Sequence, residues 1–212
     1  QPGGSRANGL SSYRYSCQRY NDHSAAAAAV DCDDPPGSAA LTEAVHREIL
    51  ARIRGDYDPG YRDVGTRVAN FGELRELDDA PGVLVETGFF DNLADPVGDA
   101  RQPDNRALHD PNWREAVALG VVTGVARYLD PGAPALPARP AGLAALNQPD
   151  GTLALTWAPV EGATGYRVFI ASQGRAFDDG VPTPGPRYVT AGLTPGRIYS
   201  FRVAATNRTG QG

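Results

Sequence analysis

With 212 residues the chain can form one large domain or two small ones, and its 41% hydrophobic and 21% charged residues are ordinary for a globular protein. Its net charge of −5 argues against a nucleic-acid partner, because phosphate binding requires a basic surface. The longest apolar stretch, residues 116–126, is too short to span a bilayer, so no membrane span is predicted.

The first predicted elements are a strand and an amphipathic helix. Residues 9–16, GLSSYRYS, alternate loosely between apolar and polar side chains, as in a strand. The helix begins at Ser38, with Ser38 expected to cap its start and Gly55 expected to close its end. Apolar residues recur along it every four positions: Leu41, Val45, Ile49 and Ile53.

Two strands and a second helix are predicted next. Residues 66–71 form a short strand, and residues 83–85 form a buried strand that ends at Glu86. Residues 91–109 are expected to be a long polar loop. Asp110 followed by Pro111 is a typical helix start, with an aspartate cap and a proline in the first turn. The residues expected to line one face of this helix are Trp113, Val117, Val121, Val125 and Leu129.

A proline-rich linker, residues 131–139, separates two parts of different pattern. The first part, residues 1–130, has the element order β, α, β, β, α, which is typical of part of an α/β layer structure. The second part, residues 140–212, has only strand-like alternation.

The second part has the pattern of a β-sandwich. Trp157 on an early strand and Tyr199 after a Leu-x-Pro-Gly turn suit a sandwich core and a tyrosine corner. Through LTWAPVEGATGYRVF and LTPGRIYSFRVAATNRTGQG this part resembles a fibronectin type III domain. Such a domain would need a further strand after Gly212, so we expect a sandwich that lacks its last strand and has an exposed edge.

Glu86 raises a question of its own, because an ionised glutamate at a buried strand is costly unless it is paired, faces a metal or lies near water. A lone glutamate that ends a strand is usually solvated or in an ion pair. The carboxyl ends of strands in open α/β sheets are also where functional groups gather. Both interpretations of Glu86 stay open from its position alone.

The sequence around Glu86 favours the functional interpretation. GTRVANFGELRELDDAPGVLVETGFFDN, followed by HDPNWREAVALGVVTGVARYL, resembles the C-terminal half of the catalytic domain of zinc-dependent N-acetylmuramoyl-L-alanine amidases. In that family a strand Pro-x-x-Leu-x-Glu-x-Gly-Phe-x-x-Asn ends in the catalytic glutamate. The matching residues are Pro81, Leu84, Glu86, Gly88, Phe89 and Asn92. The resemblance implies that Glu86 takes a proton from zinc-bound water and passes it to the leaving amine.

The zinc ligands of the family, two histidines and a glutamate, precede the matched region. The chain has three histidines, and none forms a helix-spaced pair with another. His23 and His109 are expected in loops, and His46 is expected to be partly exposed on its helix. We therefore assign no metal ligand within residues 1–212 and expect the ligands upstream of Gln1, so residues 1–212 alone are expected to be inactive.

Further site residues are weighed against simpler roles. Asn92 is a candidate substrate contact, although an Asp-Asn turn after a strand is the simpler use. Arg67 and Arg75 are candidates for binding peptide carboxylates, against the alternative that both are solvated. Cys17 and Cys32 would form a disulfide in an exported protein, and would be two thiols in a reducing cytosol.

The expected fold is α/β: a partial three-layer sheet-and-helix amidase domain, followed by an all-β, immunoglobulin-like sandwich of fibronectin type III class. The resemblance implies an exported enzyme, periplasmic or extracellular, that uses zinc to cleave the amide between N-acetylmuramic acid and L-alanine in peptidoglycan. The alternatives are a zinc carboxypeptidase-like hydrolase and a non-catalytic cell-wall-binding protein. The fibronectin-like domain would be a spacer or wall-binding module.

Overall fold

The computed structural model describes residues 7–16, 35–75, 77, 79–92 and 103–212. The chain divides into two compact units, residues 1–132 and residues 133–212. The predicted disulfide between Cys17 and Cys32, and His23 between them, lie outside the described residues. Among the described residues no helix is long and apolar enough to cross a bilayer.

Three strands form one sheet in the described part of the first unit: β1 (Leu10–Tyr15), β2 (Asp63–Ala69) and β3 (Leu84–Glu86). Their order is β2–β1–β3, with β2 parallel and β3 antiparallel to the central strand. The strand predicted over residues 66–71 is therefore present but displaced, since it starts three residues earlier and ends before Phe71.

The described residues of this unit also form four helices: α1 (Ser38–Asp56), α2 (Gly72–Arg75), α3 (Asp104–His109) and α4 (Pro111–Leu129). The polar loop predicted over residues 91–109 is wrong at its end, because α3 occupies its last six residues. His109, expected in a loop, is the last residue of α3, and its Nδ1 lies 2.7 Å from the carbonyl oxygen of Asn105.

The ends of α1 differ from prediction. Gly37 is the N-cap, with a left-handed φ of 92° that favours glycine. Ser38 does not cap the helix, because its hydroxyl oxygen accepts a hydrogen bond from the backbone N–H of Gly82 at 3.1 Å. Gly55 does not close the helix, which continues to Asp56 and has Tyr57 as its C-cap.

The apolar stripe of α1 is confirmed. Its four predicted residues are all buried in one core, where they pack with Leu10 of β1 and Trp113 of α4. The stripe is therefore what joins α1 both to the sheet and to α4. Its residues are Leu41, Val45, Ile49 and Ile53.

The predicted start of α4 is also confirmed. A carboxylate oxygen of Asp110 accepts a hydrogen bond from the backbone N–H of Asn112 at 2.8 Å, and Pro111 is the first helical residue. This bond satisfies one of the backbone N–H groups that the first turn leaves without a partner in the helix.

We expect Asp110→Ala to lower the free energy of unfolding of the first unit by about 1 kcal/mol, because the N–H of Asn112 loses its acceptor. Asp110→Asn is the matched control and should change stability little, since asparagine caps helices about as well. Urea unfolding followed by circular dichroism measures both. Equal losses for the two variants would contradict a capping role.

The predicted apolar face of α4 is confirmed only in its first half, where Trp113 is buried and Val117 packs against the same core; its second half is exposed. Val121, Val125 and Leu129 are 36%, 38% and 75% exposed. The residues that are buried are Trp113, Ala116, Gly120, Thr123 and Gly124. A Cβ added to Gly120 or Gly124 would lie 2.5 Å from a Cα atom of α1, so the two helix backbones approach closely through the glycines.

The second unit is a sandwich of two sheets, β4–β5–β8 and β10–β9–β6–β7. Its core includes Trp157, Tyr166 and Val203. The predicted tyrosine corner is present, because the hydroxyl oxygen of Tyr199 accepts from the N–H of Thr194 at 3.0 Å. The strands are β4 (Ala144–Asn147), β5 (Leu153–Thr156), β6 (Gly165–Ser172), β7 (Val181–Thr183), β8 (Arg187–Val189), β9 (Tyr199–Asn207) and β10 (Gly210–Gln211).

The edge of β9 differs from the prediction. A strand was expected to be missing beside β9, but β10 pairs with it antiparallel through Gly210–Asn207 and Gln211–Thr206. This pairing covers two residues at the end of β9, and the rest of that edge of β9 has no strand beside it among the described residues.

Candidate functional site

A cavity of about 460 Å³ lies against the sheet of the first unit. The charged and small polar side chains that line it are those of Asn8, Ser11, Arg62, Arg67 and Glu86, and three aromatic side chains line it as well: Tyr13, Phe71 and Phe89. Successive side chains of a strand point to opposite faces. Ser11 and Tyr13 of β1 therefore share the cavity face, while Ser12 points to the face that α1 covers.

The strand register brings Glu86 into this cavity. Glu86 lies directly opposite Ser11, and the Ser11 hydroxyl donates a hydrogen bond to Glu86 Oε2 at 3.2 Å. Ser11 is fully buried and Glu86 is half-buried. The cavity thus holds a carboxylate that is anchored on the protein side by one hydrogen bond.

The position of Glu86 in the sheet differs from the one expected for parallel strands. Glu86 ends β3, but β3 is antiparallel to β1, so this carboxyl end lies beside the beginning of β1. The rule that sites gather at the carboxyl ends of parallel strands does not apply to β3. The pairing with Ser11 is what brings Glu86 to the cavity.

The turn after Glu86 is fixed by side chains distant in sequence. The Tyr61 hydroxyl donates to the carbonyl oxygen of Thr87 at 2.6 Å. Asp104, 2% exposed, accepts from the N–H groups of Gly9 at 2.9 Å and Phe89 at 3.0 Å. These three bonds tie the turn to the start of β1 and to α3, and so restrict the position of Glu86.

Tyr61 and Asp104 were not among the predicted site residues. Asp104 lies in the region predicted as loop, where only its position after a proline, a common helix start, could have drawn attention to it. Tyr61 carries no local signal, since its contact with Thr87 spans 26 residues.

Burial raises the pKa of Tyr61 above its ordinary value of 10.0, and the negative charge of Asp104 raises this pKa further. Above about pH 10 the unfolded state therefore releases a proton that the folded state keeps. It follows that the free energy of unfolding falls as the pH rises through this range, whereas below pH 10 the contribution of Tyr61 is constant.

We expect Tyr61→Phe to weaken this alkaline loss of stability, because phenylalanine has no proton to release. Urea unfolding of both proteins at a series of pH values from neutral to strongly alkaline measures it. The difference in free energy of unfolding between wild type and variant should shrink as the pH rises. Parallel curves would contradict the assignment to Tyr61.

The other predicted site residues are placed differently from one another. Arg67 lines the cavity, whereas Arg75 donates through Nε to Asn70 Oδ1 at 3.0 Å and is not among the lining residues. Asn92 is buried, and its Oδ1 accepts from the N–H of Asp104 at 3.2 Å. Asn92 therefore orders the loop after β3, and it does not line the cavity either.

His46 is buried, not partly exposed as predicted. Its Nδ1 lies 3.0 Å from Ser12 Oγ, and its Nε2 lies 3.0 Å from Asp63 Oδ1. This is a serine–histidine–aspartate chain, but Ser12 has no exposed surface that a substrate could reach. The chain therefore joins α1 to β1 and β2 and does not form a nucleophilic site.

The chemistry of the cavity residues decides whether zinc could bind there. Zinc in proteins is held by thiolates, imidazoles and carboxylates. Within the described residues no group of three or more such side chains is placed to hold a metal ion. The polar side chains that line the cavity with Glu86 end in hydroxyl, amide and guanidinium groups, and a guanidinium group is only a donor. The described residues of the cavity do not fit a zinc ion.

One curated relative is named for an activity on the cell wall. A protein named as an uncharacterized cell wall amidase of Bacillus anthracis is 29% identical over 93 residues, which are 44% of this chain and 14% of that protein. The chain thus spans a small part of the length of the relative it matches.

A family model matches the second unit, and solved fibronectin type III structures are similar to about a third of the chain. A mutant of FN3tt is 29% identical, with 36% of this chain and 86% of that chain covered and a TM-score of 0.33. An Fn3-like protein from Clostridium thermocellum is 29% identical, with 35% and 81% covered and a TM-score of 0.32. The model of the fibronectin type III domain family matches residues 138–212. Together with the two-sheet sandwich and its tyrosine corner, this match shows that residues 138–212 are a fibronectin type III domain.

Proposed function

We propose that the first unit is a peptidoglycan hydrolase, which cleaves the amide between N-acetylmuramic acid and L-alanine with Glu86 as general base. The observation that carries this proposal is the carboxylate of Glu86 in the wall of a cavity, held by Ser11 and by a turn that three hydrogen bonds fix. The name of the Bacillus anthracis relative and the residues shared with the amidase family support the same substrate.

The chemistry requires a proton acceptor that stays in place. A carboxylate has about four lone-pair positions, and the Ser11 hydroxyl uses one of them, so Glu86 can still accept a proton from a water molecule. As the water oxygen bonds to the amide carbon, its proton passes to Glu86. When the carbon–nitrogen bond breaks, Glu86 returns this proton to the leaving amine.

Zinc is the metal that the amidase resemblance implies. It would polarise the amide carbonyl and lower the pKa of the attacking water. The described residues do not fit a zinc site. The role assigned to Glu86 is the transfer of a proton from water to the leaving amine.

A non-catalytic wall-binding protein is the second candidate. It is favoured by the groups that line the cavity with Glu86, because arginine, asparagine and serine suit binding of an amide-rich ligand and supply no metal site. In both cases we propose an exported protein whose fibronectin type III domain is a spacer or wall-binding module.

One experiment separates the two candidates. The purified full-length gene product, supplied with zinc, is incubated with purified peptidoglycan sacculi, which are then sedimented. Soluble peptides with a new N-terminal alanine indicate hydrolysis, whereas co-sedimentation of the protein without released peptide indicates binding alone. If the protein neither releases peptide nor sediments with the sacculi, both candidates are wrong.

A further inference from the structure

The cavity beside Glu86 carries charges of opposite sign on opposite sides of the central strand. Glu86 is on β3, in register with Ser11, whereas Arg67 is on β2, in register with Tyr13. Strands lie about 4.8 Å apart and two residues along a strand span about 6.7 Å, which places the Cα atoms of Glu86 and Arg67 roughly 12 Å apart.

A second arginine strengthens the positive side. Arg62 immediately precedes β2, also lines the cavity, and donates through Nη1 to Asn8 Oδ1 at 3.0 Å. Arg62 and Arg67 are both exposed, so a ligand from solvent can reach them. The side of the cavity formed by β2 therefore attracts anions, and guanidinium groups suit carboxylates in particular because they can form paired hydrogen bonds.

Aromatic side chains lie between the two charged sides or close to them. Tyr13 is on the central strand and packs edge to face against Phe71, with ring centroids 5.1 Å apart, and Phe89 follows Glu86 by three residues. Such walls suit the apolar parts of a peptide, while the charged groups at either side set its direction.

We propose that the cavity binds a peptide with a free carboxylate, which contacts Arg67 while an amide about three residues away lies at Glu86. An extended peptide advances about 3.3–3.6 Å per residue, so the distance between the two charged sides corresponds to about three residues. The orientation of the bound peptide in this inference rests on the proposed function, because that function places the cleaved amide at Glu86. The inference adds the specificity of the site: a carboxylate at a set distance from that amide.

The test uses two peptides that differ in one charge: N-acetyl-trialanine with a free C-terminal carboxylate, and the same peptide as its C-terminal amide. Isothermal titration calorimetry measures the affinity of the full chain for each. We expect the carboxylate form to bind about tenfold more tightly, since a hydrogen-bonded charge pair in a partly exposed cavity contributes that order of affinity.

Arg67→Gln is expected to remove this preference. Arg75→Gln is the matched control and should keep it, because Arg75 bonds to Asn70 and does not line the cavity. Circular dichroism confirms that both variants fold. Equal affinity of the wild type for the two peptides, binding of neither peptide, or a preference that persists in Arg67→Gln would each overturn the inference.

The outcome is independent of hydrolysis. If the wild type prefers the carboxylate peptide but releases no peptide from sacculi, the inferred binding site is supported and the proposed enzymatic function is wrong. Peptide release without any charge preference would indicate the opposite.

Discussion

Glu86→Gln is expected to lower the rate of peptide release from sacculi by about 10²–10⁴-fold, which is the usual contribution of a positioned general base. Glutamine has nearly the same size as glutamate, and its amide oxygen can still accept the hydrogen bond from the Ser11 hydroxyl. What the variant loses is the ability to take a proton. Initial rates of release at matched protein concentration measure the effect.

Two further variants test whether the carboxylate of Glu86 causes this loss of rate. Glu86→Asp keeps the carboxylate but withdraws it by one methylene, so we expect a rate between those of wild type and Glu86→Gln. Glu43→Gln removes a carboxylate of the same unit that bonds to Thr66 and does not line the cavity, so it should leave the rate unchanged. Glu86→Gln should still sediment with sacculi. Equal release by Glu86→Gln and wild type would remove Glu86 from the mechanism.

The sequence predicted those features that depend on local pattern. The buried stripe of α1 follows from a period of four apolar residues, and the cap of α4 follows from the chemistry of Asp110 and Pro111. The tyrosine corner of the sandwich follows from Tyr199 and the turn before it. In each case the residues that form the feature lie within one element or beside it, so their spacing alone is informative.

Predictions failed where packing between distant segments decides the result. On α4 the valines give the stronger apolar signal, yet the glycines face α1. Two helix backbones can approach this closely only where no side chain lies between them. His46 was predicted from its own helix alone. Its burial depends on Ser12 and Asp63, which belong to two different strands.

In the candidate site, too, local sequence predicted some features, while contacts between distant segments decided the others. The motif around Glu86 identified that residue, but it could not reveal that β3 runs antiparallel or that Asp104 and Tyr61 fix the following turn. Arg67 and Arg75 were equivalent in the sequence, and only the strand register places the first of them at the cavity. The fold thus determines which of several residues with similar chemistry lie at the same cavity.

Gly124→Ala is expected to lower the free energy of unfolding of the first unit by about 1–3 kcal/mol, the usual cost of inserting a methyl group into a filled contact. Its Cβ would lie 2.5 Å from the Cα atom of Val45 and 3.0 Å from the carbonyl oxygen of Ala44. Both atoms belong to the backbone of α1, so no side-chain rotation can relieve the contact and the helices must move apart. Trp113 and Ile49 would then lose part of their packing.

Gly55→Ala is the matched control, because Gly55 is also helical but has no atom within 4 Å of an added Cβ. There the higher helix propensity of alanine should raise stability by up to about 1 kcal/mol. Urea unfolding followed by circular dichroism in the helical region reports the first unit, since the described helices all lie there. The two substitutions are therefore predicted to change stability in opposite directions. A gain in both variants would show that α1 and α4 do not approach through Gly124.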